Sequence, residues 1–274
     1  MTLAVFVNTC DAFQDCWIPF FRLFETYGGI LRELPIYLNT ERADFDWPGC
    51  TIHCTKVWPR EEENLPPWSE RLLRGLDSVK ERHVLYLQED YFLKSAVRAE
   101  MIQQALEIFA QLPDAGAVYL TSHGPQVRRS LPYSKDFLQV QPPARYLISA
   151  QAAIWEKDFL RSAIRSWENV WMFEKFGTLR ARHARRRVFA PTPDALAGGD
   201  IVDYVWTGII QGKWKRDCVD LFRRHGIIVD FDRRGFYREE SIMKHHLRIL
   251  NALFGRPVPA LRSVLSLLTA SNLP

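Results

Sequence analysis

Residues 83–93 place two adjacent carboxylates, Glu89 and Asp90, directly after a short apolar run. The run, Val84 to Leu87, is rich in residues that favour β-strands, and ligands of open α/β sheets bind outside the carboxyl ends of the strands. Neighbouring carboxylates are unfavourable to bury unless a metal ion, a Lys or Arg side chain, or a polarised substrate joins them. We therefore predict a cation-dependent binding site here, with a solvated acidic turn as the alternative.

A second candidate for chemistry is Glu174, which ends the run Trp171-Met-Phe-Glu at a predicted helix start. A carboxylate among aromatic side chains is partly desolvated, which raises its pKa and suits the abstraction of a proton from a hydroxyl group. Asp200 and Asp203, which follow a pair of glycines, are rivals for the role of base.

The composition is that of an ordinary globular protein. Of the 274 residues, 47% are hydrophobic and 25% are charged, which excludes disordered and fibrous classes. The formal net charge of +4 is too small to indicate nucleic-acid binding. The 5 cysteines form no recognisable disulfide framework, and Cys50-x-x-x-Cys54 lacks a second ligand pair for zinc. With no signal peptide or membrane span in the sequence, we expect a soluble, cytoplasmic protein.

Short apolar runs alternate with helical patterns in the first half of the chain. The strands are predicted at residues 3–7, 35–39, 50–54, 83–88 and 117–120. This alternation is typical of an α/β protein with a Rossmann-like, mainly parallel sheet flanked by helices. We predict a first half at 1–123, a second half of the same domain at 124–240, and an amphipathic helical tail at 241–274.

Several collinear segments carry a family resemblance. They are Thr9-Cys10-Asp11, Pro35-Ile-Tyr-Leu-Asn39, Trp68-Ser69-Glu70-Arg71-Leu72, Gln88-Glu89-Asp90, Gln151-Ala-Ala-Ile-Trp155, Glu168-Asn-Val-Trp-Met-Phe-Glu174 and Gly212-Lys-Trp214. Together they resemble bacterial glycosyltransferases of the GT-A type, in particular enzymes of polysaccharide and lipopolysaccharide biosynthesis. The likeness covers most of residues 3–215 and leaves the tail outside.

The resemblance implies transfer of a sugar from a nucleotide-sugar donor to a glycan or lipid-linked acceptor. Thr9 and Asp11 would bind the base and ribose, and Gln88, Glu89 and Asp90 would bind the ribose and the metal-diphosphate. GT-A enzymes generally carry Asp-x-Asp, whereas the first acid is here an amide. Asp90 would hold the divalent cation, Mn²⁺ or Mg²⁺, and the amide leaves metal dependence open.

Cationic side chains also stabilise a departing nucleoside diphosphate, because they neutralise its growing negative charge. For this role we name Arg71 and Lys213; a surface salt bridge to Glu70 or Asp77 is the alternative for Arg71. Asp11 has an alternative role too, because it can cap the helix that follows it.

The acceptor side is assigned to residues of the second half. We predict that Gln151, Trp155 and Trp171 contact the acceptor, with core packing as the alternative for the tryptophans. Arg185 and Arg186 belong to a basic run over 180–187, which fits an acidic acceptor or an anionic membrane surface, or is a solvated helix face.

Three functions remain open at this stage. Direct displacement with Glu174 as base would make an inverting glycosyltransferase. A nucleotidyltransferase is an alternative, although the segment after the first strand lacks the glycines and cations that grip a triphosphate. A degenerate transferase that serves as a glycan-binding or assembly subunit is the third. For the tail, which includes Leu261 and Leu268, we expect packing on the body of the protein or on a second subunit, with peripheral membrane contact as the alternative.

Overall fold

In the first part of the chain, strands and helices alternate as the hydrophobic pattern predicts. A computed structural model describes residues 2–268. The first elements are β1 (Leu3–Asn8), α1 (Gln14–Tyr27), β2 (Ile36–Asn39), β3 (Ile52–Cys54), α2 (Trp68–Ser78), β4 (His83–Gln88), α3 (Ala99–Gln111) and β5 (Ala115–Tyr119).

The second part mixes short strands with short helices. Its elements are β6 (Leu131–Pro132), β7 (Phe137–Val140), β8 (Ala153–Glu156), α4 (Lys157–Ala163), α5 (Val170–Met172), α6 (Thr178–Ala181), β9 (Arg187–Pro191), β10 (Ile209–Ile210), β11 (Lys213–Trp214), α7 (Asp217–Arg224), α8 (Ile242–Phe254) and α9 (Pro257–Leu265). A turn of π-helix, Phe173–Gly177, joins α5 to α6.

One sheet of nine strands, in the order β3-β2-β1-β4-β8-β5-β9-β7-β6, runs through both predicted halves. Strands β3, β2, β1 and β4 are parallel, whereas β8 lies antiparallel between β4 and β5. The predicted α/β class, with helices flanking the sheet and a helical C-terminal tail, is confirmed. The strand-like run that ends at Trp155 forms β8, whose antiparallel direction periodicity did not indicate, and the β6–β7 hairpin is an addition.

The register of the parallel strands brings their polar ends together. Asn8, the last residue of β1, lies beside Asn39 of β2 and Gln88 of β4. The Asn39 amide donates a hydrogen bond of 2.9 Å to the Asn8 side-chain oxygen. The residues that follow β1, β2 and β4 therefore share one edge of the sheet.

Strand β8 provides the first correction. All four of its residues are buried, since it lies inside the sheet. The Trp155 ring is fully buried and meets Tyr119 edge-on at 5.7 Å between ring centroids. Trp155 is therefore a core residue and does not present its ring to an acceptor, contrary to the predicted role.

The C-terminal helices α8 and α9 pack on the segment that contains α5, as expected for the tail. Met172 and Phe176 form a small apolar cluster with Leu253 of α8 and Ala260 of α9. The predicted packing segment ran to residue 270, and residues 269 and 270 lie outside the described part. Across residues 2–268, no helix combines the length and the apolar character needed to cross a bilayer.

Candidate active site

Asp90 lies just beyond the end of β4 and is buried. Its Oδ2 accepts a hydrogen bond of 3.0 Å from the Ile209 backbone N–H. Its Oδ1 is also buried and has no hydrogen-bond partner among residues 2–268. Burial raises the pKa of Asp90 to about 6 from its usual 3.8. The carboxylate thus keeps an unused acceptor that a cation or a proton would satisfy.

Glu89 is the second buried acid at this strand end, with 9% of its surface exposed. Burial raises its pKa well above the usual range, and the neighbouring Asp90 charge raises it further. Arg234 and Arg71 act in the opposite direction. Because both acids are buried, the alternative of a solvated acidic turn is excluded.

Gly208, which directly precedes β10, packs on Asp90. The Gly208 N–H donates to the Asp90 carbonyl oxygen at 3.1 Å. A Cβ at Gly208 would lie 2.9 Å from that oxygen and 2.4 Å from the Phe92 ring, so only glycine fits. The turn before β10 is therefore packed directly onto the acidic strand end.

Glu174 lies in the π-helical turn between α5 and α6, and it is partly buried. Its Oε1 accepts hydrogen bonds from the Ser149 hydroxyl (3.0 Å) and the Ala150 N–H (2.9 Å). Its Oε2 has no hydrogen-bond partner in the described part of the chain. Burial raises the pKa of Glu174, while the two hydrogen bonds limit the rise. Such a carboxyl group, oriented on one oxygen and open on the other, suits a general base. Single π-helical turns often occur at functional sites.

One backbone residue, Ala150, connects Glu174 to the acidic strand end. Its N–H donates to Glu174, while its carbonyl oxygen accepts from Gln88 Nε2 (3.4 Å) and from the Tyr91 hydroxyl (2.8 Å). The two sites that the sequence placed 84 positions apart (from residue 90 to residue 174) therefore meet through one peptide segment.

These residues surround a cavity of about 980 Å³. Four predicted site residues line it: Gln88, Gln151, Trp171 and Glu174. Asp90 lies beneath its surface, behind the lining residue Ile209 to which it is hydrogen-bonded. The cavity therefore combines aromatic rings and amides with the Glu174 carboxylate, a combination suited to a polar ring-shaped ligand.

The predicted base-and-ribose residues, Thr9 and Asp11, are engaged within the protein. The Thr9 hydroxyl accepts a hydrogen bond from Trp17 Nε1 at 2.8 Å. The Asp11 carboxylate accepts from three backbone N–H groups of residues 41–43, at 2.9, 2.9 and 3.0 Å. Asp11 therefore fixes the segment after β2, and it does not cap its own helix. Neither residue lines the cavity.

Arg71 pairs with Glu41, a partner that the sequence reasoning missed. Its Nη1 donates to Glu41 Oε1, and both side chains are largely buried. The proposed alternatives are wrong, because Glu70 pairs with Arg74 and Asp77 pairs with Arg161. Arg71 lies near enough to Glu89 to lower the pKa of that acid.

The two rival candidates for the base, Asp200 and Asp203, form hydrogen bonds and ion pairs elsewhere. Asp200 accepts hydrogen bonds from the Thr121 hydroxyl (2.6 Å) and the Ser122 N–H (2.8 Å). Asp203 pairs with Lys94 at 2.9 Å and accepts from Ser95. Neither lines the main cavity, so the geometry favours Glu174 over both.

The cations beside the cavity differ from the predicted ones. Lys213 is exposed on β11 and does not line the cavity, whereas Lys215 and Arg216 do. Lys215 pairs with Asp217 at 2.7 Å, and the Arg216 guanidinium lies 4.6 Å from the centre of the Phe236 ring. The motif Gly212-Lys-Trp214 thus marked the correct hairpin, and the cations that line the cavity follow it by one and two positions.

On the acceptor side, Gln151 and Trp171 face the cavity. Tyr204 orients Gln151 by donating to its Oε1 at 2.8 Å, and the Tyr204 ring stacks on Tyr91 with centroids 4.3 Å apart. The exposed Trp206 also lines the cavity and stacks on His123.

The tail contributes to the cavity, which the sequence did not indicate. His245 and Arg248 of α8 line it together with Glu240. Arg248 Nε donates to Glu240 at 3.2 Å, and its guanidinium lies 5.6 Å from the centre of the Trp171 ring. The one feature of the sequence that set the tail apart was its lack of acidic residues.

The basic run over 180–187 is divided among several structural roles. Arg180 is fully buried and pairs with Glu168 through two hydrogen bonds of 2.8 and 2.7 Å. Arg186 donates to the Pro113 carbonyl at 3.0 Å, and Arg187 pairs with Asp114. Arg185 is exposed, and neither it nor Arg186 lines the cavity. The run is therefore neither one solvated face nor one cationic patch.

The acidic strand end fits a divalent cation that is held by one or two carboxylates and completed by substrate and water. No cluster of three or more His, Cys, Asp or Glu side chains suited to a metal occurs among residues 2–268. Mg²⁺, however, is commonly held by one or two carboxylates with substrate phosphates and water completing its shell. Glu89 and the unpartnered Oδ1 of Asp90 match that mode.

Comparisons with known proteins identify structural neighbours only. No protein-family model and no curated protein matches the chain. The crystal structure of S. aureus TarS 1-349 aligns at 14% identity with a TM-score of 0.45, over 70% of this chain and 60% of that one. The same fragment in complex with UDP-GlcNAc aligns at 11% identity with a TM-score of 0.46, over 100% of this chain and 82% of that one.

A third neighbour is the mannosyltransferase PcManGT from Pyrobaculum calidifontis in complex with GDP-Man and Mn²⁺. It aligns at 13% identity with a TM-score of 0.46, over 99% of this chain and 75% of that one. The chain spans 60%, 57% and 49% of the length of three TarS structures. With TM-scores below 0.5, these neighbours carry no argument about the activity, donor or acceptor of this chain.

Proposed function

We propose that the protein is an inverting glycosyltransferase that moves a sugar from a nucleotide-sugar donor to a glycan or lipid-linked acceptor in polysaccharide biosynthesis. One observation carries the proposal: the Ala150 peptide joins the raised-pKa carboxyl group of Glu174 to Gln88 and Tyr91, which flank the buried acids Glu89 and Asp90. The base and the leaving-group site of a displacement reaction must be held apart and in fixed orientation, and this link does both.

The donor diphosphate is assigned to Gln88, Glu89 and Asp90. Support comes from the unpartnered Oδ1 of Asp90 and from the raised pKa of both acids, since an incoming divalent cation satisfies the oxygen and favours the ionised forms. Bound Mn²⁺ or Mg²⁺ would neutralise the negative charge of the diphosphate. Lys215 and Arg216, on the cavity wall, provide further positive charge for the departing group.

Glu174 is assigned as the base that takes the proton of the acceptor hydroxyl. Ser149 and Ala150 hold Oε1, which leaves Oε2 to receive the proton. A raised pKa makes the carboxylate a stronger base at neutral pH. One displacement, without a covalent sugar–enzyme intermediate, inverts the anomeric configuration.

The acceptor is assigned to the wall formed by Gln151 and Trp171. The ordered amide of Gln151 offers hydrogen bonds, and the tryptophan ring offers a flat apolar face. The proposal includes a reducing, cytoplasmic location, which is supported by five cysteines that form no disulfide.

The test begins with calorimetric titration of uridine, guanosine, cytidine and thymidine diphosphates, followed by turnover of the matching sugar nucleotides with glycan and lipid-linked acceptors. The variant Glu174→Gln should lower turnover about a hundredfold or more, the usual scale for loss of a general base, because the amide cannot accept the proton. Nuclear magnetic resonance of the product should show an inverted anomeric centre.

Donor binding is the control for this variant. Glu174→Gln should bind the nucleoside diphosphate as the wild type does, since Glu174 lies on the acceptor side in the proposal. Activity retained in Glu174→Gln but lost in Asp200→Asn or Asp203→Asn would reassign the base. Nucleotide binding with no turnover on any acceptor would favour a glycan-binding or assembly subunit.

A further inference from the structure

The outer face of α8 and α9 is the most apolar exposed surface of the described chain. Of the 16 exposed large hydrophobic side chains, 9 lie between residues 243 and 268, each 45–79% exposed. They are Met243, Leu247, Leu250, Phe254, Val258, Leu261, Val264, Leu265 and Leu268. Spacings of three and four residues place them on one face of each helix. We call these nine residues the tail face.

The opposite face of the same two helices is firmly attached to the body. Leu253 and Ala260 pack on Met172 and Phe176. The Trp167 ring N–H donates to Ser263 at 3.0 Å, and the Asn169 amide donates to the Ala252 carbonyl at 2.7 Å. The apolar tail face is therefore held outward, and intramolecular packing already uses the other side.

The charge of the tail is entirely positive. Residues 241–274 contain no Asp or Glu and four basic side chains, Lys244, Arg248, Arg256 and Arg262. They account for the whole net charge of +4, so residues 1–240 are neutral. Arg248 pairs with Glu240, whereas Lys244 and Arg256 have no acidic partner among residues 2–268. An apolar helix face accompanied by such cations is typical of helices that lie in the interface of an anionic bilayer.

We propose that the tail face docks on an anionic lipid surface. Insertion would bury its Leu, Val, Met and Phe side chains at the level of the headgroups, while Lys244 and Arg256 would contact lipid phosphates. A second copy of the chain fits less well, because a symmetric contact would bring two faces of the same positive charge together.

Docking in this orientation has a consequence for the cavity. His245 and Arg248 lie on α8 and line the cavity, so the membrane would lie beside its wall. The inference does not rest on the proposed sugar transfer, since the docking face and the cavity are formed by different residues. If the proposed function holds, this placement would favour an acceptor carried by lipid.

The test is co-sedimentation of the full chain with phosphatidylcholine vesicles and with vesicles of phosphatidylglycerol and phosphatidylcholine in equal parts. Binding should require phosphatidylglycerol and fall with added salt. The double variant Lys244→Ala/Arg256→Ala should bind about thirtyfold more weakly at low salt, a factor of about five for each basic residue. The triple variant Leu247→Ser/Leu261→Ser/Leu268→Ser should bind roughly a hundredfold more weakly or worse.

A matched control is available in exposed apolar residues elsewhere on the surface. Ile18→Ser/Leu131→Ser/Ile228→Ser removes comparable exposed groups outside the tail and should bind vesicles as the wild type does. Circular dichroism and thermal unfolding of both triple variants establish that they are folded. If the tail variant is unfolded, the salt and lipid dependence of the wild type and the double variant still decide the outcome.

Two results would overturn the inference. One is absence of vesicle binding, or equal binding to neutral and anionic vesicles. The other is a stable dimer in sedimentation velocity that the tail variant dissociates, because the tail face would then be an interface between two copies.

Discussion

Among the buried carboxylates of residues 2–268, those of Glu168 and Asp90 have opposite hydrogen-bonding environments. Glu168 is fully buried and meets Arg180, also fully buried, through two hydrogen bonds of 2.8 and 2.7 Å. Arg180 further donates to the Ala163 carbonyl and the Ser266 hydroxyl. Asp90, by contrast, has one backbone N–H on Oδ2 and nothing on Oδ1 among the described residues.

The difference separates a structural site from a candidate functional site. Both carboxylate oxygens of Glu168 accept a hydrogen bond from Arg180, so this acid leaves no demand for a further ligand. A buried carboxylate with an unpartnered oxygen destabilises the folded chain, and such a group is expected to persist where function requires it. The comparison therefore indicates a structural role for Glu168 and Arg180, and it supports the proposed binding role of Asp90.

The largest expected effect is the loss of stability when the buried pair of Glu168 and Arg180 is broken. Arg180→Met removes the partner of Glu168 and leaves a buried, uncompensated charge. Breaking a buried pair in this way costs about 3–5 kcal/mol, so urea unfolding should show a loss of that size. Added Mn²⁺ and nucleoside diphosphate should not change that loss, since the pair lies outside the proposed donor site.

The matched control removes both charges together. Glu168→Leu/Arg180→Met replaces the pair by apolar groups, and such replacements are often neutral or stabilising. The double variant should therefore recover most of the stability lost in Arg180→Met. A double variant as unstable as the single one would mean that the other contacts of Arg180, to Ala163 and Ser266, carry the stability.

The second expected effect is a gain in stability on replacing Asp90. It is smaller than the loss in Arg180→Met, and it depends on pH. The pKa of Asp90 rises from 3.8 in the unfolded chain to about 6 in the folded one, so the folded state binds more protons between those values. Stability should then fall as pH rises through that window. Asp90→Asn removes the penalty and should raise the unfolding free energy by on the order of 2–3 kcal/mol above about pH 6, with no gain below about pH 4.

Asp200→Asn is the control for this prediction. The Asp200 carboxylate accepts hydrogen bonds from Thr121 and Ser122, so its replacement should lower stability. Urea unfolding of both variants across the pH range measures the contrast. Equal loss of stability in Asp90→Asn and Asp200→Asn would show that Asp90 is an ordinary structural carboxylate.

The sequence predicted the local features of the site and missed its long-range pairings. Glu89 and Asp90 were found because an apolar run ends at them, and Glu174 because aromatic residues precede it. Arg71 and Glu41 are 30 positions apart, and no periodicity connects them. Trp155 was misassigned because the antiparallel insertion of β8 between β4 and β5 buries both of its faces, a result of sheet order that no local pattern encodes.

The basic run over residues 180–187 is another example of long-range pairings that the sequence did not predict. Composition alone indicated one cationic patch over residues 180–187. In the fold, Arg180 turns inward to Glu168 while Arg187 pairs with Asp114 at the start of β5. Among residues 2–268, cations without an acidic partner occur instead beside the tail face, at Lys244 of α8 and at Arg256 between α8 and α9, in a segment that the family resemblance does not cover.

The most direct test of the central claim is calorimetric titration of the wild type and Asp90→Asn with nucleoside diphosphates in the presence of Mn²⁺. We expect the wild type to bind at least one nucleotide with metal-enhanced affinity. We expect Asp90→Asn, though folded and more stable above about pH 6, to bind it at least several-fold more weakly and without the metal enhancement. Equal affinity and equal metal dependence in the two proteins would contradict the assignment of the β4 end as the donor site.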